Sequence, residues 1–194
     1  MTAAEDKPRQ ILDAAVRVFA AQGYEASRVG DIAREAGVAY GLVYHYFGSK
    51  EAVIDAVFRE AWGRLLAAVT LAEQTAGDAA EQLSLVVKIV LRVWRDDPDL
   101  VRLLVREITR NPHTQDELGE IGQAFAALER IVRRGQSEGT LRGEPDPQFA
   151  AWMLYGALEE VLTGWVLGQL PDDAVAVAAA EREVIATLVG GLRA

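Results

Sequence analysis

Apolar residues recur at helical spacing along the chain, and turn residues divide this pattern into nine segments. The first segment covers residues 8–22, where Ile11, Val18 and Phe19 lie on one apolar face and Gly23 ends the helix. We find no internal repeat and no linker long enough to separate independent parts. The pattern therefore predicts an all-α protein of nine helices without a strand.

Capping residues mark most of the predicted helix starts. In three places a capping side chain precedes a proline at the first helical position, which predicts the starts of helices six, seven and eight. These pairs are Asp97-Pro98, Asn111-Pro112 and Asp146-Pro147. Ser27 and Ser49 are the expected N-caps of helices two and four.

The remaining boundaries follow from turn residues between apolar segments. Helix four is predicted to run from residue 50 towards 75, where residues 76–78 break it, and it links the two parts of the molecule. Helix five is predicted over residues 79–95. Helix nine is predicted over residues 174–192, with Pro171-Asp172 at its start.

Residues 29–50 predict a helix, a tight turn and a second helix. Gly37 supplies the residue that can adopt positive φ at the end of the first of these helices. Val43 and Phe47 give the second helix an apolar face, which leaves its aromatic and polar side chains on the other faces. These outward residues are Tyr40, Gly41, Leu42, Tyr44, His45 and Tyr46. Such a helix suits insertion into the major groove of DNA.

At these residues the sequence resembles the TetR family of bacterial transcriptional regulators. The matching residues are Ser27, Ile32, Ala33, Ala36, Gly37, Val38, Gly41, Tyr44, Tyr46, Phe47 and Lys50, with Ile11, Ala14, Ala15, Phe19, Gly23 and Tyr24 upstream. The resemblance implies a helix-turn-helix DNA-binding domain of three helices over residues 7–52. A larger helical domain for ligand binding and dimerisation is then expected over residues 53–194.

The resemblance also implies which residues contact operator DNA. They are Ser27, Arg28, Gly30, Ala39, Tyr40, Gly41, Leu42, Tyr44, His45, Tyr46 and Lys50. Lys50 is expected to bind a phosphate together with the first N–H groups of helix four. Two positions depart from the family: Ala39 replaces a serine that usually caps the recognition helix and touches phosphate, and Leu42 replaces a small hydroxyl residue.

The charge of the chain bears on DNA binding. The net charge is −9, yet residues 1–55 contain six basic and eight acidic residues, so most of the acid excess lies outside the predicted DNA reader. Neutral donors such as tyrosine hydroxyls and backbone N–H groups also bind phosphates. We therefore expect DNA binding with a modest dependence on salt.

The composition indicates a cytoplasmic protein without disulfides. The chain has no cysteine, which excludes disulfides and cysteine metal sites and fits a reducing compartment. The N-terminal residues contain no apolar run that would predict a signal peptide. The apolar residues 149–170 carry Glu159 and Glu160 at their centre, so they predict a buried or dimer-forming helix and no membrane span.

Residues 101–112 and 138–166 show a looser likeness within the same family. They resemble the ligand-binding part of members that repress fatty-acid degradation genes and are released by long-chain acyl-CoA. The effector residues predicted on this basis are Trp94, Leu103, Leu104, Arg106, Glu107, Arg110, Phe125, Leu128, Trp152, Tyr155 and Glu159. A lipophilic cation is the alternative effector, with Glu107, Glu159 or Glu160 as its counter-ion.

Two arginine clusters have a functional interpretation, as a ligand-binding site, and a plain interpretation, as solvated helix faces. Arg102, Arg106 and Arg110 are spaced by four on helix six, and helix seven carries a second cluster. The second cluster consists of Arg130, Arg133 and Arg134. Guanidinium groups beside an apolar pocket would suit the phosphates of coenzyme A, whereas solvated faces paired with Glu107 or Glu129 are the commoner arrangement.

Small and apolar residues on helices eight and nine predict a homodimer. The family precedent is a four-helix bundle built from the last two helices of each subunit. The interface residues predicted on this basis are Gly156, Ala157, Gly164, Val177, Val184 and Leu188.

No constellation in the sequence indicates an enzyme. His45 and His113 lie in different elements, no triplet has metal-ligand spacing, and no glycine loop would bind a phosphate. We expect no cofactor, no metal and no membrane partner. The sequence thus predicts a dimeric repressor of operator DNA with a lipophilic effector, and the alternatives are a helical lipid or acyl-CoA binding protein without DNA function or a small helical enzyme.

Overall fold

The computed structural model describes residues 7–107 and 117–194, and it describes the backbone alone for residue 107 and residues 117–121. The helices within these ranges are α1 Lys7–Gln22, α2 Val29–Glu35, α3 Tyr40–Phe47, α4 Lys50–Gln74, α5 Ala79–Asp96, α6 Pro98–Glu107, α7 Glu117–Ser137, α8 Pro147–Val166 and α9 Ala174–Val184. The chain after α9 continues in a π-helical stretch, Ile185–Val189, and a last turn, Gly190–Leu192. The described ranges contain no strand, so the predicted all-α class is confirmed.

The proline-marked starts of α6 and α8 are confirmed. At α8 the Asp146 carboxylate accepts hydrogen bonds from the N–H groups of Gln148 (3.0 Å) and Phe149 (3.3 Å). The start predicted at Pro112 for helix seven lies outside the described residues. At α9 the N-cap is Asp173, one residue after the predicted Asp172, and its carboxylate accepts from Val175 N–H at 2.8 Å.

Ser27 was wrongly predicted as the N-cap of α2. The N-cap is Arg28, and the carboxylate of Asp31 accepts a hydrogen bond from its backbone N–H at 3.0 Å. The Ser27 side chain is only 3% exposed, and its hydroxyl donates to the carbonyl of Gly23. Gly23 has a φ of 81°, and the sharp turn there directs the Ser27 hydroxyl inward, away from α2.

The N-terminal compact unit contains the chain from α1 to Ala61 together with α6. Its fully buried side chains include Ile11, Phe19, Ile32 and Phe58. Helix α6 packs on α1 within this unit, because Leu100, Val101 and Leu103 of α6 are buried rather than solvated.

The second compact unit contains residues 62–97 and the described chain from α7 to the end. Helix α7 packs against both α5 and α8, and α9 packs against α5. Leu83, Leu91, Ile131 and Val177 are fully buried in its core. The chain end is fixed to the loop after α7, because Arg142 N–H donates to Leu192 O at 2.9 Å.

Gly135 permits a close crossing of α5 and α7. A Cβ atom at this position would lie 2.5 Å from the Cβ of Ala79 and 2.7 Å from the Cγ of Leu141. Both neighbours are buried, so neither can move aside without disturbing the core. On the same helix, Gly122 is exposed and has nothing within 4 Å of such an atom.

Gly135→Ala should therefore destabilise the protein by about 1–3 kcal/mol, the usual cost of overpacking a core. Gly122→Ala is the matched control and should stabilise it by roughly 0.5–1 kcal/mol, because alanine favours an exposed helix position over glycine. Chemical denaturation of both variants measures the two changes. A stabilising effect of Gly135→Ala would contradict the close crossing.

Candidate nucleic-acid interface and effector domain

Helix α3 turns its aromatic side chains to solvent. Val43 is its one fully buried residue and Phe47 is half-buried, which matches the apolar face predicted for this helix. The Tyr40, Tyr44 and Tyr46 rings are exposed. A helix that buries so little and carries three exposed tyrosines is suited to binding an external surface rather than to filling a core.

The other predicted DNA-contact residues divide into exposed, half-buried and buried positions. Arg28, Ala39, Gly41 and His45 are exposed, whereas Gly30, Leu42 and Lys50 are half-buried. The Ser27 side chain is buried and its hydroxyl is hydrogen-bonded, so it does not belong with the DNA-facing side chains.

Lys50 joins the start of α4 to the connection between α1 and α2. Its Nζ donates to the carbonyls of Tyr24 at 2.8 Å and Ser27 at 3.1 Å, and it lies 4.2 Å from the centre of the Tyr24 ring. Burial and the charge of Glu51 raise the pKa of Tyr24 to about 12, so that ring stays neutral. An ammonium group has three hydrogens, and these two carbonyls leave one for a phosphate.

The first turn of α4 has the predicted cap. Ser49 Oγ accepts a hydrogen bond from Ala52 N–H at 3.0 Å. The Glu51 carboxylate accepts hydrogen bonds from the backbone N–H of Glu51 and from the Ser49 hydroxyl, and these lower its pKa. Glu51 therefore keeps a negative charge in the first turn of the helix.

The second unit contains two groups of aromatic side chains. Trp94 and Trp165 stack with ring centres 6.1 Å apart. Phe125 stacks on Trp152 at 4.6 Å and contacts Tyr155 at 4.9 Å. The structure thus brings together three predicted effector residues from α7 and α8, whereas Trp94 of α5 stacks on Trp165, which was not among the predicted residues.

Tyr155 and Glu159 are half-buried one helical turn apart on α8. Burial, followed by the Glu159 charge, raises the pKa of Tyr155 to about 12. Burial and the neighbouring Glu160 charge raise the pKa of Glu159. Tyr155 contacts the Phe125 ring, and the surroundings of both Tyr155 and Glu159 disfavour negative charge.

The predicted effector residues of α6 belong to the N-terminal unit. Leu103 is buried there, and Leu104 is half-buried. The Arg106 guanidinium donates to the carbonyl of Ala20, near the end of α1, at 3.0 Å. The structure therefore gives Arg106 a partner within the N-terminal unit. The Glu107 side chain and Arg110 lie outside the described residues, and Leu128 of α7 is buried in the second unit.

The arginines of α7 have protein partners. Arg130 makes a bidentate ion pair with Glu73, in which its Nε and Nη2 lie 2.8 and 2.9 Å from the two carboxylate oxygens. Arg133 pairs with Glu129, and Arg134 binds Gln82 and lies 3.7 Å from Glu138. On α6, Arg102 pairs with Asp99 at 2.8 Å. This arrangement favours the plain interpretation of both clusters over a coenzyme A phosphate site.

Gln82 is a buried polar residue that sequence reasoning missed. Its Nε2 donates to the carbonyls of Glu73 (3.1 Å) and Thr75 (2.8 Å), which fastens the end of α4 to α5. A glutamine on an otherwise apolar helix face was the available signal. An open cleft of about 460 Å³ adjoins Gln82 and Lys88, and it includes none of the predicted effector residues.

Comparison with known proteins identifies the family. A model of the N-terminal domain of bacterial regulatory proteins of the tetR family matches residues 11–57. A model of the C-terminal region of YsiA-like proteins matches residues 58–190. The chain belongs to the TetR family. It is a transcriptional regulator with a helix-turn-helix domain, and the family is not one of enzymes.

Relatives of this TetR-family regulator include proteins of fatty-acid metabolism. The fatty acid metabolism regulator protein of Bacillus subtilis is 31% identical over 188 residues, which cover 96% of this chain and 95% of the relative. The solved fatty acid degradation regulator FadR from Bacillus halodurans has a TM-score of 0.82 and 31% identity over 95% of this chain and 99% of its own. FadR from Bacillus subtilis, solved with stearoyl-CoA, has a TM-score of 0.80 and 28% identity over the same shares.

Three of the predicted interface residues of the regulator are buried within its own chain. Val177 and Val184 lie in the core of the second unit, and Gly164 is covered by the Leu170 side chain. Their burial is within one subunit, and their predicted contact with a second subunit stays a prediction. Gly156 is exposed, and Ala157 and Leu188 are half-buried.

The regulator shows no sign of a metal site or a membrane span in its described residues. No group of three or more histidine, aspartate or glutamate side chains there is placed to hold a metal ion. None of the described helices combines the length and the hydropathy needed to cross a bilayer.

Lys50→Ala should change both stability and DNA binding. Loss of two charge-assisted hydrogen bonds should cost on the order of 1–2 kcal/mol in unfolding free energy, measured by denaturation. It should also weaken binding to every DNA sequence about equally and lower the salt slope by about 1, because a phosphate contact carries no base information. Lys7→Ala removes a charge from the first residue of α1 and is the control. A changed preference between DNA sequences at a constant slope would contradict this role.

Proposed function

We propose that this regulator is a repressor that binds a palindromic operator as a homodimer and is released by a lipophilic effector of the long-chain acyl-CoA class. The observation that carries the DNA-binding part is the solvent-exposed tyrosine face of α3 on a scaffold fixed by Val43 and Lys50. In a dimer, two such helices would enter successive major grooves about 34–36 Å apart.

An exposed apolar face of α8 supports the homodimer. Phe149 is 60% exposed and Trp152 is 56% exposed, and Met153 and Gly156 continue the same face one turn further. Apolar side chains of this size rarely stay in contact with water on one helix without a partner. Members of the TetR family dimerise, and a second copy of α8 would cover this face.

The acyl-CoA class rests on relatives and on the aromatic groups of the second unit. The Bacillus subtilis FadR structure contains stearoyl-CoA. Trp94, Phe125 and Tyr155 of this chain supply apolar surface of the kind that an acyl chain needs. The arginines of α7 are engaged with Glu73, Glu129 and Gln82 and add no support.

One observation favours a lipophilic cation as the second candidate effector. Glu159 is half-buried beside Tyr155, and its raised pKa shows that its surroundings oppose the negative charge. A ligand cation nearby would offset that cost.

The proposed release requires coupling between the effector and the DNA reader. Helix α4 belongs to both compact units, so a change in its last turns reaches its first turns within one helix. The effector must bind the two states of the regulator with different affinity, and a coupling of about 1–3 kcal/mol is the usual scale.

A titration of the operator complex tests the effector. Palmitoyl-CoA should release the DNA, whereas coenzyme A and palmitate should do so poorly, because only the thioester combines the acyl chain with the phosphates. The measurement is fluorescence anisotropy of a labelled duplex recovered by in vitro selection from random-sequence DNA. Release by a lipophilic cationic dye alone would reject the acyl-CoA class and keep the repressor.

Met153→Arg should produce a folded monomer that loses operator binding, because a charge would enter the proposed α8 contact. Leu71→Arg is the matched control, since Leu71 is an exposed apolar residue on α4 and should keep the dimer. Size-exclusion chromatography with light scattering gives the mass, and circular dichroism confirms folding. A wild-type monomer at micromolar concentration would reject the homodimer.

A further inference from the structure

Tyr40 and Tyr44 form a hydrogen-bonded pair on the exposed face of α3. They lie one helical turn apart, their ring centres are 5.0 Å apart and their hydroxyl oxygens are 3.1 Å apart. The other side of the Tyr40 ring lies over α2, 3.9 Å from the place where a Cβ atom of Gly30 would be. The Tyr40 ring therefore packs against α2 at Gly30, and its hydroxyl in turn holds that of Tyr44.

The two hydroxyls together keep one hydrogen for an outside acceptor. Each tyrosine carries one O–H hydrogen, and the bond between the two oxygens uses one of them. Tyr40 donates to the Tyr44 oxygen at 3.1 Å, so the hydrogen that remains for an outside acceptor is the one on Tyr44. A hydroxyl that accepts a hydrogen bond becomes a better donor through its own hydrogen.

The N-cap residue of α3 has no side-chain hydroxyl that could bind a phosphate. Ala39 is the N-cap residue, and it provides no side-chain hydrogen bond to the first turn. The tyrosine pair begins at the next residue, Tyr40, which is the first residue of α3.

We infer that Tyr40 and Tyr44 act as one hydrogen-bonded donor that binds a single phosphate of the DNA backbone. This rests on the proposed DNA-binding function. Tyr44 is the donor to the phosphate oxygen, and Tyr40 is a positioning residue that holds the Tyr44 ring and polarises its hydroxyl. The pair takes the place of the hydroxyl that Ala39 does not supply.

A neutral donor gives this contact a distinctive salt dependence. Binding through a hydroxyl releases no counterion, so its loss lowers affinity without changing the salt slope, unlike the loss of Lys50. A phosphate contact also carries no sequence information, so selected and scrambled DNA should lose affinity equally. The acidic chain would thereby gain backbone contacts without added positive charge.

The experiment is a double-mutant cycle in the full-length regulator. Tyr40→Phe, Tyr44→Phe and the double variant are titrated with the selected duplex and with a scrambled duplex of equal length, at several salt concentrations. Tyr46→Phe is the matched control, because Tyr46 is exposed on the same helix and is not part of the pair. Thermal melting confirms that the phenylalanine variants keep the fold.

Each single variant should bind both duplexes roughly three- to tenfold more weakly, the scale of one hydrogen bond, at an unchanged salt slope. The double variant should be no weaker than Tyr44→Phe, whereas Tyr46→Phe should act independently of Tyr40. Ala39→Ser in the Tyr40→Phe background should recover most of the loss.

Three results would overturn the inference. They are additive effects of Tyr40→Phe and Tyr44→Phe, losses confined to the selected duplex, and no recovery with Ala39→Ser. Failure to select any duplex would instead reject the DNA-binding function itself, so the two failures are distinguishable.

Discussion

The structure depends on α4 being a single unbroken helix that belongs to both compact units. Its 25 residues extend over roughly 37 Å at the standard helical rise. Lys50 fastens its first turn to two carbonyls of the connection between α1 and α2. Glu73 and the buried Gln82 fasten its last turn, through Arg130 and two carbonyls. Each unit therefore holds one end of the same helix.

The ion pair between Arg130 and Glu73 has a structural role that requires no ligand. The Arg130 guanidinium holds the pKa of Glu73 below its usual range, so the ion pair persists at neutral pH. The pair is largely exposed and contributes little stability alone. The ion pair matters for geometry, because together with Gln82 it holds the end of α4 against α5 and α7.

Local signals predicted the helices well, whereas partners distant in sequence determined the roles of individual residues. The proline-marked start of α8 follows from residues next to one another, so it was readable in advance. Ser27 has the chemistry of an N-cap, yet the turn at Gly23 directs it inward. Val184 has the chemistry of an interface residue, yet it lies in the core of its own subunit. The Ser27 partner lies four residues before it, in a turn that a capping rule does not consider, and the burial of Val184 depends on helices remote in sequence.

The candidate site shows the same division between chemistry and placement. That α3 would bury Val43 and expose its tyrosines followed from helical spacing alone. The contact of Arg106 with the end of α1 did not follow from spacing, because 86 residues separate Arg106 from Ala20. The carbonyls at a helix end carry partial negative charge, so a guanidinium there finds a partner without any ligand. A cationic stripe read from sequence is therefore weak evidence for an anionic effector, whereas an exposed aromatic stripe on a recognition helix is stronger evidence for DNA, because the core offers it no competing use.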